Sequence, residues 1–212
     1  LLIDASDALL TRFSPAVGLI RSWDNKNGDP NPYRVIIDNM MNLEMLFTVS
    51  KLTGDKRYYD IAVCHADNTL KNHFRPDNSC FHIVCYNAET GRVTGQRGGQ
   101  GYSAASAWSR GQSWALYGFT MCYRETGDPR YLDRAVKCAE YFINHPRLPE
   151  DLVPYWDYDA PGIPDEPRDA SAAAITASAL LELAKYAPGK EKSYYGTARK
   201  ILTSLASDRY LI

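Results

Sequence analysis

The chain holds 212 residues, 45% hydrophobic and 23% charged, with 24 Lys and Arg against 25 Asp and Glu. That is enough apolar material for one sizeable core, so a single domain over residues 1–212 is expected. A formal charge of −1 excludes the basic surface by which proteins hold nucleic acid or an anionic membrane as a main partner.

The pattern begins in mid-helix. Leu1 to Leu10 is amphipathic, and residues 1–13 read as an unpaired outer helix. There is neither an initiator Met nor a leader, so the natural N-terminus is expected upstream, and periplasmic and cytoplasmic bacterial locations are equally compatible. An inner run then starts at Asp38-Asn39-Met40-Met41 and bends at Thr53-Gly54-Asp55. After the bend, Tyr58, Ala62, Ala66 and Leu70 step by four along an amphipathic outer helix.

The same phrase returns 73 residues later: Thr126-Gly127-Asp128 closes the run from Ser109 to Phe119 and opens a helix carrying Tyr131, Ala135, Ala139 and Ile143. A third, weaker copy joins Asp169–Leu181, through Ala187-Pro188-Gly189, to Tyr194, Ala198 and Ile201. The inner runs are apolar nearly all round, which predicts burial on every side. Alternating inner and outer helices predict an all-α fold, an (α/α)6 toroid of helical hairpins, of which these seven helices make about half to two-thirds of the ring. Closing helices are expected beyond them.

Long segments rich in Gly, Pro and aromatics lead into each inner helix: 14–37, 74–107 and 146–168. Connections of more than ~12–15 residues are usually functional. Within the second, Phe81–Tyr86 followed by Asn87–Val93 reads as a small β-hairpin. The opposite turns are tight, which places the site at the inner-helix N-termini.

Candidate residues gather there. Asp38 sits between apolar runs and is either a helix cap or a general acid. Arg110 and Trp114 share one helix face, and Trp108 and Gln112 a neighbouring one. A guanidinium among indoles needs an anionic substrate or a protein acid, with Asp38 and Asp169 in reach. His82 in the hairpin, Gln100 in a Gly-rich turn, and Trp23 and Trp156 before inner helices complete the set. Five scattered cysteines fit neither a zinc site nor a disulfide framework, and no metal or other cofactor is expected.

Taken together, these residues resemble glycoside hydrolase family 88, the unsaturated glucuronyl hydrolases. The resemblance rests on Ile37-Asp38-Asn39-Met40-Met41-Asn42, Gln100-Gly101-Tyr102-Ser103, Ala107-Trp108-Ser109-Arg110-Gly111-Gln112-Ser113-Trp114, Pro154-Tyr155-Trp156-Asp157 and Pro167-Arg168-Asp169-Ala170-Ser171. It implies removal of a 4,5-unsaturated uronic acid from the non-reducing end of oligosaccharides left by polysaccharide lyases, by hydration of a vinyl ether. The carboxylate-separation rule of ordinary glycosidases does not apply to that chemistry. Asp38 matches the catalytic acid/base, and Trp23, His82, Gln100, Arg110 and Trp114 match substrate-binding positions. Trp108, from its helix face, joins them. Ala104 and Ala105 stand where many relatives carry an acid, and a second family acid has no counterpart here, so the resemblance implies that these 212 residues alone are inactive or weakly active and that the active parent is longer.

The implied partner is an unsaturated oligosaccharide; parent polysaccharide, sulfation and oligomeric state are not set by these residues. An unsaturated rhamnogalacturonyl hydrolase is the nearest alternative, disfavoured by Gln112 and Trp114. A catalytically inactive helical-repeat carbohydrate-binding module is the other.

Overall fold

Two glycines and two aspartates make the bends. Helix α2 (Asn39–Thr53) ends on Gly54 and α4 (Ser109–Thr126) on Gly127, at φ of 75° and 71°, left-handed backbone that suits a residue without Cβ. The next helices, α3 (Lys56–Asn72) and α5 (Pro129–Ile143), are each capped by the following Asp. Asp55 accepts from the Arg57 N–H and Asp128 from the Arg130 N–H, both at 2.9 Å. Thr53 and Thr126 hydroxyls accept from the N–H of those same aspartates. The repeated Thr-Gly-Asp is therefore a stop signal and a start signal in three residues. The third bend, between α6 (Ala170–Leu183) and α7 (Glu191–Leu205), keeps only its glycine, Gly189 at φ 83°.

The computed structural model describes residues 1–24 and 33–211. Helices α2, α4 and α6 lie side by side as an inner layer, and each packs on the outer helix that follows it. Outer helix α1 (Leu2–Leu10) packs against α2 and α3. One contact repeats along the outer layer. Tyr58 donates to Asp7 of α1 at 2.6 Å, Tyr131 to Asp67 of α3 at 2.9 Å, and Tyr194 to Glu140 of α5 at 3.2 Å. Leu43, Leu46, Phe47, Leu116, Phe119, Leu180 and Leu183 fill the core between layers. The inner layer is close-packed: a Cβ on Gly118 would lie 2.4 Å from the Met40 Cβ.

The inner helices are not buried on all sides, as their composition led us to expect. Each keeps one open stripe, with Met41 and Thr48 on α2, and Ala174 and Ser178 on α6 exposed, and Trp114 and Tyr117 on α4 half-buried. These stripes face a common cleft. The reason is composition: small and amphipathic side chains make a surface that tolerates both water and packing, so apolarity alone did not separate core from cleft.

Among the described residues, five short strands interrupt the helices. Strands β1 (Phe13–Ser14) and β2 (Leu19–Ile20) pair antiparallel at the start of the long 14–37 connection, with only Phe13 overlapping the helix expected over residues 1–13. The expected hairpin is present as β4 (Ile83–Tyr86) and β5 (Val93–Arg97), but β3 (Tyr33–Ile36) adds to β4 and makes three antiparallel strands in the order β3-β4-β5. Strand β3 was missed because its partner lies about 50 residues away. The middle of the 14–37 connection, residues 25–32, lies outside the described residues. Cys64, Cys80, Cys85, Cys122 and Cys138 are all free thiols.

Candidate active site

Strand β3 delivers Asp38 to the top of α2. Its backbone is helical at φ −58°, ψ −25°, and its side chain makes no capping hydrogen bond. The capping alternative is thereby set aside: an N-cap needs extended backbone to fold its carboxylate over the first amides. Instead Asp38 Oδ2 points to His82 Nε2 at 3.5 Å, with the two side chains 18% and 4% exposed. His82 comes from the loop entering β4. Its ring stacks at 4.3 Å on Trp108, and its Nδ1 faces the Gln100 N–H at 2.9 Å.

Arg110 lies on the first turn of α4, with its guanidinium 5.3 Å from the Trp108 ring. Its Nε and Nη2 both reach Asp169 Oδ2 at 3.0 Å. The protein acid weighed from the sequence is thus Asp169, not Asp38. Asp169 Oδ1 meanwhile caps α6 through the Ala172 N–H at 2.8 Å. The pairing does not bury the cation, whose side chain is 39% exposed. Gly111 seats this turn, since a Cβ there would be 3.2 Å from Ile37, the neighbour of Asp38. Asp38 and Arg110 therefore each stand next in sequence to a residue of one contact, Ile37 on Gly111, between the lead-in to α2 and the first turn of α4.

One turn below, Trp114 and Met41 open a cleft of about 360 Å³ whose floor includes Glu44, Tyr117 and Ile175. Trp114 stands edge-on to Tyr117 at 5.9 Å. Tyr117 donates to Glu44, and burial followed by that carboxylate raises its pKa to about 12, so it remains a donor. Arg124 holds Glu44 on the other side and reaches Glu182 as well, tying α2, α4 and α6 together. A larger hollow of about 640 Å³ on the outer surface of α7 contains none of the site residues.

Asp38, His82, Trp108 and Arg110 are brought into continuous contact, with Gln100 beside His82 through its backbone; its side chain is exposed. Trp108 is 4% exposed and backs His82 from behind. Trp23 is half-buried under Arg34, 5.6 Å from ring to guanidinium, on the strand side of the site. Trp156 donates to Glu166 at 2.8 Å in the loop before α6. Gln112 is structural, exchanging hydrogen bonds with the backbone of Cys80.

The match to Glycosyl Hydrolase Family 88 runs over residues 21–209. The chain belongs to this family. An unsaturated glucuronyl hydrolase of Formosa agariphila is 48% identical over 211 residues, covering 100% of this chain and 52% of that protein. An unsaturated chondroitin disaccharide hydrolase of Streptococcus pneumoniae is 36% identical over 215 residues, covering 98% and 54%. A crystal structure of an unsaturated glucuronyl hydrolase specific for heparin superimposes with a TM-score of 0.94 at 43% identity, covering 100% of this chain and 56% of that one. That of Bacillus sp. GL1 follows at 0.90 and 35%, covering 96% and 54%. The family 88 chain described here thus spans about half the length of the relatives it matches. Its helical hairpins are those of the α/α toroid these hydrolases share.

The sequence reading left three contributors to this family 88 site without a role. Asp169 precedes an inner helix just as Asp38 does, and that position was its signal. Asp157, which with Arg75 holds the loop bearing Gln100, stood in the Pro154-Tyr155-Trp156-Asp157 motif with no role assigned, and Arg75 gave no signal. Among the described residues, no group of three or more His, Cys, Asp or Glu is placed to hold a metal ion, and no helix is long and apolar enough to cross a membrane.

Proposed function

We propose that this site takes the 4,5-unsaturated uronic acid at the non-reducing end of an oligosaccharide and hydrates its double bond. The observation that carries the reading is Asp38: a carboxyl released from helix capping and aimed at His82, whose ring packs on the same Trp108 that a partly open guanidinium approaches. Asp38 as an acid protonates C4; the resulting carboxylate takes a proton from water as its oxygen bonds to C5. The hemiketal so formed opens and releases the remaining saccharide. Arg110 supplies charge for the sugar carboxylate, which a guanidinium holds in a two-point fork. Trp114 and Trp23 give flat apolar walls, and His82 and Gln100 give polar contacts at the rim.

An Arg already engaged by Asp169 is not thereby unavailable. Nε and Nη2 share one oxygen of that carboxylate, which leaves Nη1 and the remaining hydrogen of Nη2 for a second anion.

The test is optical. Unsaturated uronyl disaccharides should quench tryptophan fluorescence in the wild type and in Asp38→Asn. Absorbance of the conjugated double bond should decay only in the wild type, with a loss of at least about a hundredfold in the variant. Neither quenching nor decay with any uronide would remove the reading; decay that survives Asp38→Asn would remove the assigned acid.

A further inference from the structure

Between β5 and α4, residues 98–107 form neither helix nor extended strand, yet they carry Gln100 and end beside Trp108. Exposed loop backbone needs partners to hold one shape. Besides His82, and Asp159, whose Oδ2 accepts from the Ala107 N–H at 3.2 Å, two side chains from elsewhere supply most of them. Asp157, 0% exposed, accepts at Oδ2 from the Tyr102 N–H at 2.9 Å and the Ser106 hydroxyl at 2.8 Å, and at Oδ1 from the Asp159 N–H at 2.8 Å. Arg75 donates from Nη2 to the carbonyls of Ala104 at 2.7 Å and Ser106 at 3.1 Å. Its guanidinium lies 4.0 Å over Phe81, the neighbour of His82. The loop lies hard against the histidine: a Cβ on Gly99 would be 2.1 Å from His82 Nδ1.

That pressure has a chemical result. Nδ1 of His82 faces two groups, the Gln100 N–H at 2.9 Å and the Gly98 carbonyl at 3.1 Å. It can accept from the first or donate to the second, not both. On the other edge, Nε2 faces Asp38 Oδ2, and among the described residues neither atom has a hydrogen-bond partner. Toward the ionised form of Asp38, the form left after it has given up its proton, a bare nitrogen would set a lone pair against a carboxylate, whereas an N–H faces it favourably. The Gly98 carbonyl already accepts from the Gly101 N–H at 2.9 Å, so the Nδ1 edge favours accepting from Gln100, and the Nε2 edge selects the same neutral tautomer, with the proton on Nε2.

We infer that Asp157 is a positioning residue: by pinning loop 98–107 it holds the Gln100 N–H on His82 Nδ1 and so presents Nε2–H to Asp38. The catalytic consequence rests on the function proposed above; the tautomer does not. An aspartate suits the position because all three of its partners are donors. Asparagine has the same shape but one oxygen, and its NH2 must confront an N–H or O–H.

The experiment labels the imidazole nitrogens with 15N and reads the tautomer of His82 at mildly alkaline pH, where a free imidazole is neutral. In the wild type, Nε2 should carry the bonded proton and Nδ1 should resonate as an acceptor nitrogen. In Asp157→Asn both signals should move toward each other as the Nδ1–H form gains population, while those of His65, which accepts from the Ile20 N–H at 2.9 Å, stay in place. kcat on an unsaturated disaccharide should fall about tenfold to a hundredfold with KM nearly unchanged. Ser106→Ala, which removes one of the three bonds, should shift the signals less and decides the matter where Asp157→Asn does not fold. A wild-type proton on Nδ1 overturns the inference, and so do folded variants with unmoved His82 signals. A moved tautomer in a protein that turns over no uronide refutes the proposed function and leaves the latch standing.

Discussion

Asp38 and Asp169 occupy equivalent places before inner helices, and their backbones give them opposite jobs. Asp169 is extended at φ −103°, ψ 91° and caps α6, while Asp38 is already helical and caps nothing. We therefore expect Asp38→Ala to cost less than Asp169→Ala, because it removes no cap and loses only the 3.5 Å approach to His82. Asp169→Ala should cost about 1–3 kcal/mol, since it removes a cap and leaves Arg110 without its acid. Urea midpoints at constant slope read both; equal losses would mean that Asp38 caps after all. The candidate site was legible at this scale because an acid between apolar runs, and a guanidinium beside indoles, are anomalies in an inner helix. Their partners were not legible: Arg110 and Asp169 are 59 residues apart, and Asp157 and Tyr102 are 55 apart.

Helix pairs were readable for a different reason. Thr-Gly-Asp acts within a few residues, through a left-handed glycine, a hydroxyl and a cap, so its repetition announces the hairpins directly. Tyr58 and Tyr131, like the acids Asp67 and Glu140, stand one 73-residue repeat apart. Strand β3 did not announce itself, because four residues acquire strand geometry only by pairing with β4. Glycines show how packing overrides propensity at this scale. Ala is favoured over Gly in a helix by about 1 kcal/mol. At Gly196 in α7, where an added Cβ meets nothing within 4 Å, Gly196→Ala should stabilise the protein by about 0.5–1 kcal/mol. At Gly118 the same change meets Met40 at 2.4 Å, and overpacking of about 1–3 kcal/mol reverses the sign. Thermal melts of the two variants should move in opposite directions, and a stabilised Gly118→Ala would mean that α2 and α4 are not in close contact.

Stability of the whole molecule against acid involves two imidazoles buried where α3 meets the strands. His65 on α3 accepts from the Ile20 N–H of β2, and His73, just past the helix end, pairs with the Val35 carbonyl of β3 at 3.2 Å. Burial draws their pKa values down from 6.5, to about 3 for His65, with His73 adding to the effect, and to about 4 for His73. The unfolded chain then binds more protons than the folded one below pH 6.5. Stability is therefore level above that pH and falls as pH drops toward the folded values, by up to about 1.4 kcal/mol per pH unit for each group. Urea midpoints should decline from about pH 6.5 to 4.5, before most carboxylates titrate, and a level profile would show that these rings are hydrated. Local chemistry, read from the sequence alone, determined which segments are helices, where they turn, their inner and outer order, and which residues are out of place in such a pattern. All of that is written within a turn or two of each residue. Only the tertiary structure decided that Asp38 faces His82 rather than its own helix, that Asp169 takes Arg110, and that Asp157 and Arg75 hold the loop between them. Those choices depend on which distant surfaces meet, and a periodic pattern carries no record of that.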